Sequence, residues 1–429
     1  MMEYIPRALL NEIIRYIDRR EIISIKGPRQ SGKTTLLKML KDFLINEKNI
    51  DEDHIIYLTF EDNEILYKFS ENPKDFIRKY ITDSKRYYFL IDEAQYCKDL
   101  GKKLKLIYDL FENIKIIITG SSSLELKNET ARYLVGRLLE FELYPLNFYE
   151  FLLYNDQKIA RIYKEWNEKV INLLMNSSDF EIKKDVDIYI NDLLRYLNEY
   201  IKFGGYPAIV TAESEKEKIF LLKNLVNTYL DKDVVSFLNI RDTIKFRRLI
   251  TALASLNGSL INITQLANEI NSYFKEIIDL LDILEQTYII RRIRPFHKNL
   301  VTELKKENKI YFIDTGLRNY LINNFNDIEI RNDSGTLIEN FILNELYQYG
   351  KINFWRTKNK AEVDFIFEGK EIIPTEVKFS NIKRDILTRS LYYFIRNYNS
   401  RFSIVVTKNY WGERIINNSK IKYIPLVYF

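Results

Sequence analysis

The stretch Gly27-Pro-Arg-Gln-Ser-Gly32-Lys33-Thr34 fits G-x-x-x-x-G-K-[ST] at every fixed position, and it limits the possible folds more than any other part of the chain. The motif has meaning only between a strand and a helix, and both flanks comply. Residues 22–25, Ile-Ile-Ser-Ile, form an apolar run suited to a buried parallel strand. Residues 35–44 carry apolar side chains at helical spacing. Strand, glycine loop and helix predict an α/β layer in which Gly27, Pro28, Arg29, Gln30, Ser31, Gly32, Lys33, Thr34 and Thr35 surround phosphate oxygens at a helix N-terminus. In that arrangement Lys33 reaches the β- and γ-phosphates and Thr34 sets its hydroxyl on Mg²⁺. The pattern implies a nucleoside triphosphate, with ATP and Mg²⁺ the expected pair. A glycine turn that merely precedes a lysine is the alternative, and the intact flanks weigh against it.

Composition narrows the remaining classes. A chain of 429 residues is long enough for two to four domains. Apolar residues make up 46% and charged residues 29%, an ordinary globular balance. The net charge of +5 permits nucleic-acid binding without arguing for it. A single cysteine, Cys97, excludes an intrachain disulfide and points to a reducing compartment. With only His54 and His297 beside it, a Cys/His zinc site is close to excluded, so metal chemistry falls to carboxylates and Mg²⁺-like ions. There is no signal-peptide pattern and no apolar run of the ~20 residues a bilayer requires. The expectation is a soluble cytoplasmic protein with no membrane partner.

Further strands in the first third carry the complementary chemistry. Residues 54–60 read as a second strand, and Tyr87-Tyr-Phe-Leu-Ile91 as a third that ends directly in Asp92-Glu93. A buried strand that delivers two carboxylates is a Walker B arrangement: Asp92 joins the Mg²⁺ shell and Glu93 orients or deprotonates the attacking water. A fourth strand, residues 115–119, ends in Gly120-Ser-Ser-Ser123, where ligands of open α/β sheets gather. Ser121 is the first choice there for a contact to the γ-phosphate or the water, with a turn or helix cap as the equal alternative. Arg137, just before a further strand, is an arginine finger (in cis, or in trans from a neighbouring subunit of a homo-oligomer), a γ-phosphate sensor or a surface ion-pair residue.

These blocks carry a resemblance. Glu3-Tyr-Ile-Pro-Arg7, the glycine loop, Ile91-Asp-Glu-Ala-Gln95, Thr119-Gly-Ser-Ser-Ser123, Gly136-Arg137 and Tyr144-Pro-Leu-Asn-Phe-Tyr-Glu-Phe151 resemble the prokaryotic AAA+-type ATPases. More narrowly they resemble the archaeal and bacterial group that joins this module to a C-terminal domain of unknown function. The resemblance implies a doubly wound αβα ATPase core, expected over residues 1–152.

Residues 153–235 read as a helical lid or insertion, with apolar positions at helical spacing, a break at Asn176-Ser-Ser-Asp179 and no chemical constellation. Gly204-Gly-Tyr-Pro207 and Thr228-Tyr-Leu-Asp-Lys-Asp233 match further blocks of the same family. Residues 236–330 predict a winged-helix-like domain: a helix over 245–256, a short helix over 265–270 capped by Thr264, a helix over 273–286, then strands over 288–294 and 309–313. The would-be recognition helix carries Glu276, Asp279, Asp282 and Glu285 against Lys275, the wrong charge for a major groove. Basic residues sit on the wing instead, at Arg291, Arg292, Arg294 and Lys298, where non-specific backbone contact stays open.

Residues 331–429 show the order αβββαβ, with Asp364 in the second strand and Glu376-Val-Lys378 in the third, and Glu339 on the first helix. This looks like the PD-(D/E)XK restriction-endonuclease-like fold and matches the C-terminal blocks of the same ATPase group. In a strand, residues two apart share a face, so Glu376 and Lys378 point together, while Val363, Phe365 and Phe367 facing the core turn Asp364 to the other side. Glu339, Asp364 and Glu376 would hold metal, and Lys378 would stabilise developing charge or position the nucleophile. A surface salt bridge is the commoner meaning of an isolated E-x-K.

Two functions therefore stand. In the first, Mg²⁺-dependent ATP hydrolysis drives or gates a restriction-endonuclease-like domain acting on or binding DNA non-specifically. In the second, a regulatory switch ATPase binds a protein or nucleic-acid partner without cleavage.

Overall fold

The structure, a computed structural model, describes residues 4–121, 132–182, 187–228, 243–296, 307–380, 385–416 and 418–429. Chain contacts divide it into two compact units, residues 1–146 with 286–288, and residues 147–285 with 289–429.

The first unit is built on five parallel strands: β1 Ile22–Gly27, β2 Ile55–Thr59, β3 Tyr87–Asp92, β4 Ile114–Ser121 and β5 Leu138–Glu142. They lie in the order β2-β3-β4-β1-β5, with every pairing parallel. Every residue of β1 and β3 is buried, as both-faced parallel strands require. Alternation sorts the side chains of β4 between two cores. Ile117 packs with Leu36, Leu37 and Leu40 of helix Lys33–Asn46, while Ile116 and Ile118 pack with Leu100, Leu104 and Ile107 of helix Leu100–Leu110. The αβα layering that the resemblance implies is present. Because all five strands run the same way, one edge of the sheet collects every carboxyl end.

In the second unit a capping box, Asn147 with Glu150, starts helix Phe148–Asn155. Helices Gln157–Asn176 and Ile190–Phe203 follow on either side of the expected break. Gly204 then adopts φ 80°, where a Cβ would stand 2.2 Å from the Asp314 carboxylate, and the Gly205 N–H donates to Asp314 Oδ2 at 2.8 Å. Of Thr228–Asp233, Thr228 closes helix Glu215–Thr228 and the other residues lie outside the described ones.

Helices Thr243–Ser255, Ile263–Glu269 and Phe274–Gln286 precede β6 Ile290–Ile293 and β7 Lys309–Phe312, which pair antiparallel. The cap of the middle helix is Asn262, whose side chain accepts from Gln265 N at 2.9 Å, rather than Thr264. The wing is also less available to phosphates than its charge suggests. Arg292 is committed to Asp282 and Glu285 of the preceding helix, and buried Arg291 stacks 3.4 Å from the Tyr347 ring centre. Arg294 is exposed, and Lys298 lies outside the described residues.

Helix Ser334–Leu346, β8 Lys351–Arg356, β9 Glu362–Glu368, β10 Ile372–Lys378, helix Arg389–Tyr398 and β11 Phe402–Thr407 occur in the expected αβββαβ order. Two further strands, β12 Gly412–Ile416 and β13 Ser419–Pro425, extend a six-stranded sheet ordered β12-β13-β11-β10-β9-β8. Residues on either side of 330 are joined within one unit. The Phe354 N–H donates to Arg294 O at 3.1 Å, so the chain leaving β6 runs onto the edge strand β8. Asn340 and Asn344 tie helix Ser334–Leu346 to the Phe312 carbonyl of β7 at 2.6 and 3.0 Å.

Candidate functional site

At the carboxyl edge of the first unit the chain leaves β1 through the glycine loop. Gly27 is required by packing, since a Cβ there would meet the Leu143 carbonyl at 2.1 Å. Gly32, at φ 97°, turns the loop into the helix that Lys33 begins. Buried Arg7 holds the loop from below, donating to Ser31 O at 2.7 Å and Tyr144 O at 2.6 Å. Lys33 is itself buried and donates to the carbonyls of Gly27 (3.0 Å) and Pro28 (2.8 Å). Thr35 and Gln30 are exposed, Arg29 half-buried. The Ser31 hydroxyl is buried without a hydrogen-bond partner.

Asp92, the last residue of β3, is the organising acid. Its Oδ2 accepts from Thr34 Oγ1 at 2.7 Å and from the Tyr57 hydroxyl of β2 at 3.0 Å. Its other oxygen accepts from the Thr119 hydroxyl of β4. Burial first, and then the Asp92 charge, push the Tyr57 phenol well above its usual range, so it stays a donor. Glu93 sits in the left-handed region at φ 51°, with its N–H donating to Thr119 Oγ1 at 3.2 Å. The Gln95 amide bridges the Glu93 carboxylate and Ser121 Oγ, the latter at 3.0 Å. Ser121 therefore joins the acid pair, whereas Ser122 and Ser123 lie outside the described residues.

Arg137 does not join them. Its carbonyl accepts from Ile22 N at 2.8 Å, at the amino edge where β1 begins. The loop begins at the far end of β1, roughly 16 Å away at about 3.3 Å per residue. Its guanidinium pairs with Asp109 at 3.2 Å and lies over the Tyr108 ring. An arginine finger in cis on the chain's own loop is thus excluded by strand direction.

The donor set fits a metal-bound nucleotide. One hydroxyl and one carboxylate within hydrogen-bond reach, a lysine on loop carbonyls, an unpartnered serine hydroxyl and a helix N-terminus are what a Mg²⁺-triphosphate requires, because phosphate and water supply the remaining oxygens.

The second constellation lies in the other unit. The β9–β10 ladder ends at the pair Thr375–Phe365, and beyond it Asp364 Oδ2 accepts the Val377 N–H at 2.7 Å. Glu376 and Lys378 share a face as expected, with Lys378 Nζ 2.8 Å from Glu376 Oε1, and Glu376 also accepts from the Thr388 hydroxyl. Val363, Phe365 and Phe367 are all buried, as expected, and Asp364 is less so. The β8–β9 register shifts between Asn353 and Trp355, and the extra residue puts Val363 and Ile366 in one core with Leu391 and Phe394.

Two residues outside the expected set reach this cluster from β7. Lys309, buried, places Nζ 2.6 Å from Glu362 Oε1 and 3.8 Å from Glu339 Oε2. The Tyr311 hydroxyl donates to Glu339 Oε2 at 2.8 Å. Burial raises Glu339 above the ordinary carboxylate range against the pull of Lys309 and Tyr311. Burial and the Glu339 charge push Asp364 above the ordinary carboxylate range as well. Among the described residues, no group of three or more Asp, Glu, His or Cys side chains is placed to hold a metal ion. Glu339, Asp364 and Glu376, the acids expected to hold metal, each accept a hydrogen bond from a protein donor.

Residues 19–152 match the family model described as an AAA domain. Residues 194–328 and 334–429 match two domains of unknown function, DUF8612 and DUF4143. An uncharacterized protein of Haemophilus influenzae is 27% identical over 426 residues, spanning 97% of this chain and 96% of its own length. One of Methanocaldococcus jannaschii is 28% identical over 375 residues, spanning 84% of this chain and 76% of its own. Among solved structures, C. elegans PCH-2 aligns with a TM-score of 0.29 at 16% identity, covering 64% of this chain and 68% of that one. Domain III of the Thermotoga maritima replication initiation protein DnaA aligns with 0.27 at 17%, covering 52% and 95%. The AAA match falls on the parallel sheet with its glycine loop, so the chain carries an AAA-type ATPase module. Among the described residues, no helix is long and apolar enough to cross a membrane.

Proposed function

We propose that this chain is a Mg²⁺-dependent ATPase that acts as a switch, with a C-terminal half that holds a partner without cutting it. The contact between Thr34 and Asp92, 2.7 Å across two elements, carries the first part. Loop amides of residues 27–35 receive the phosphates, and Lys33 leaves its two carbonyls for the β- and γ-oxygens. Mg²⁺ held by Thr34 and Asp92 supplies charge neutralisation at the phosphates. Glu93 orients the attacking water and takes its proton, with Gln95 and Ser121 fixing the direction of its carboxylate. Arg137, paired with Asp109, takes no part in the site of its own chain. Phosphate release from ATP by the wild type, lost in Lys33→Ala and Glu93→Gln, is the test; turnover that survives both substitutions rejects the site.

For the C-terminal half, the occupied carboxylates support binding over cleavage. The domain scheme is a core over 1–152, a helical lid over 153–235, a winged-helix-like segment over 236–330 and a restriction-endonuclease-like domain over 331–429. A second reading, a metal-dependent deoxyribonuclease coupled to ATP turnover, draws on the αβββαβ order and on Lys378 beside Glu376. Plasmid, single-stranded and branched DNA incubated with Mg²⁺ separate the two. Cleavage by the wild type that Asp364→Ala abolishes favours the nuclease, and intact DNA favours the non-cleaving switch.

A further inference from the structure

We propose that Lys309 is the resident cation of the C-terminal carboxylate cluster, its ammonium standing where a divalent ion would otherwise be held. This deepens the non-cleaving reading of that half and rests on it.

The lysine comes from β7, whereas the acids come from helix Ser334–Leu346 and from β9. Its side chain is 5% exposed and lies between Glu362, at 2.6 Å, and Glu339, at 3.8 Å. These are ammonium distances. A Mg²⁺ ion needs its oxygens near 2.0–2.1 Å and in octahedral order, about 0.6 Å closer than an ammonium takes them. Tyr311, two residues along the same strand and so on the same face, occupies Glu339 with its hydroxyl at 2.8 Å. The far side of the cluster is closed in the same way. Asp364 accepts the Val377 amide, and Glu376 is bound by Lys378 and by Thr388, the N-cap of helix Arg389–Tyr398.

Strand β7 cannot easily withdraw its lysine. Asn340 and Asn344 clamp the Phe312 carbonyl, and Asn257 accepts the Phe312 N–H at 3.1 Å. A divalent ion entering the cluster would meet this fixed positive charge with little water to screen it. The consequence is a carboxylate site neutralised from within the chain, with no vacancy for metal.

The test is Mn²⁺ uptake by the nucleotide-free full chain, read from the paramagnetic resonance signal of free Mn²⁺. Subtracting the uptake of Asp364→Asn isolates the cluster from the glycine loop. The wild type is expected to take up no more Mn²⁺ than Asp364→Asn. Lys309→Met is expected to gain one equivalent, lost again in Lys309→Met with Asp364→Asn, while Lys309→Arg gains none. Extra uptake by the wild type over Asp364→Asn overturns the proposal, as does a folded Lys309→Met that gains nothing. Lys309→Gln replaces Lys309→Met if the latter fails to show a cooperative melt. Failure here leaves the non-cleaving reading intact, since that reading is decided by the DNA incubation and not by Mn²⁺.

Discussion

Thr34 Oγ1 and Asp92 Oδ2 stand 2.7 Å apart, joining the first turn of the helix after β1 to the last residue of β3. The two strands are not neighbours, since β4 lies between them, and Thr119 of that strand holds the other Asp92 oxygen. Three hydroxyls from three other chain segments, those of Thr34, Tyr57 and Thr119, thus converge on one carboxylate. Thr34→Ala and Asp92→Asn should each lower Mg²⁺-dependent ATP turnover by about 10²-fold or more. Steady-state phosphate release across a Mg²⁺ titration checks this, with saturation moving to higher Mg²⁺ in Thr34→Ala.

Gln95 is the residue that fixes the direction of Glu93, and it does so through a side chain whose other end meets Ser121 at 3.0 Å. Gln95→Ala removes no group from the phosphates or the metal. It should lower kcat on the order of 10- to 100-fold, by loosening the position of Glu93, and leave KM for ATP nearly unchanged. Gln95→Glu should be worse than Gln95→Ala, because it places a second carboxylate beside Glu93. Measuring kcat and KM separately for both variants distinguishes this from a loss of nucleotide affinity.

Most of the first unit was readable because three of its strands, β1, β3 and β4, are apolar runs that end at chemically marked residues. Gly27, Asp92 and Ser121 close β1, β3 and β4, so strand ends and motif positions are the same information. The misplaced arginine was readable too: Gly136-Arg137 precedes its strand, and in an all-parallel sheet that puts it at the amino edge, away from any ligand. The second unit resisted for two physical reasons. An extra residue in β9 opposite the Asn353–Trp355 shift interrupts strict alternation and brings Val363 and Ile366 into one core, which the sequence pattern does not announce. Lys309 and Tyr311 lie 30 and 28 residues before Glu339 (339 − 309 and 339 − 311), in a strand whose apolar pattern only advertises a core. Nothing local marks them as partners of an acid.

Arg137 pairs with Asp109 with its side chain about one-third exposed. Arg137→Ala should leave ATP turnover of the monomeric chain unchanged and reduce stability by less than ~1 kcal/mol. If the chain self-associates and the arginine acts in trans, the loss should appear only at concentrations where the oligomer forms. Turnover per chain, measured against protein concentration for wild type and variant, separates these cases.

Glu345 gives the second unit a pH dependence whose sign follows from its surroundings. Its carboxyl is buried between helices Phe148–Asn155 and Ile190–Phe203, accepting from Phe148 N at 3.1 Å and from the Tyr200 hydroxyl at 3.3 Å. Burial pushes it up to about 8, above the ordinary 4.5, although both hydrogen bonds pull the other way. The folded chain therefore keeps this proton over a range in which the unfolded chain has lost it. Its contribution to stability is full below about pH 4.5 and disappears as pH rises through about 8. Glu345→Gln keeps the shape and an acceptor oxygen while removing the ionisation. The difference in melting midpoint between variant and wild type should thus be small at pH 5 and should grow in favour of the variant by several degrees, roughly a few kcal/mol, at pH 9. Thermal melts of both proteins at matched ionic strength test this, and a difference that does not change with pH would show that Glu345 is already ionised in the folded chain.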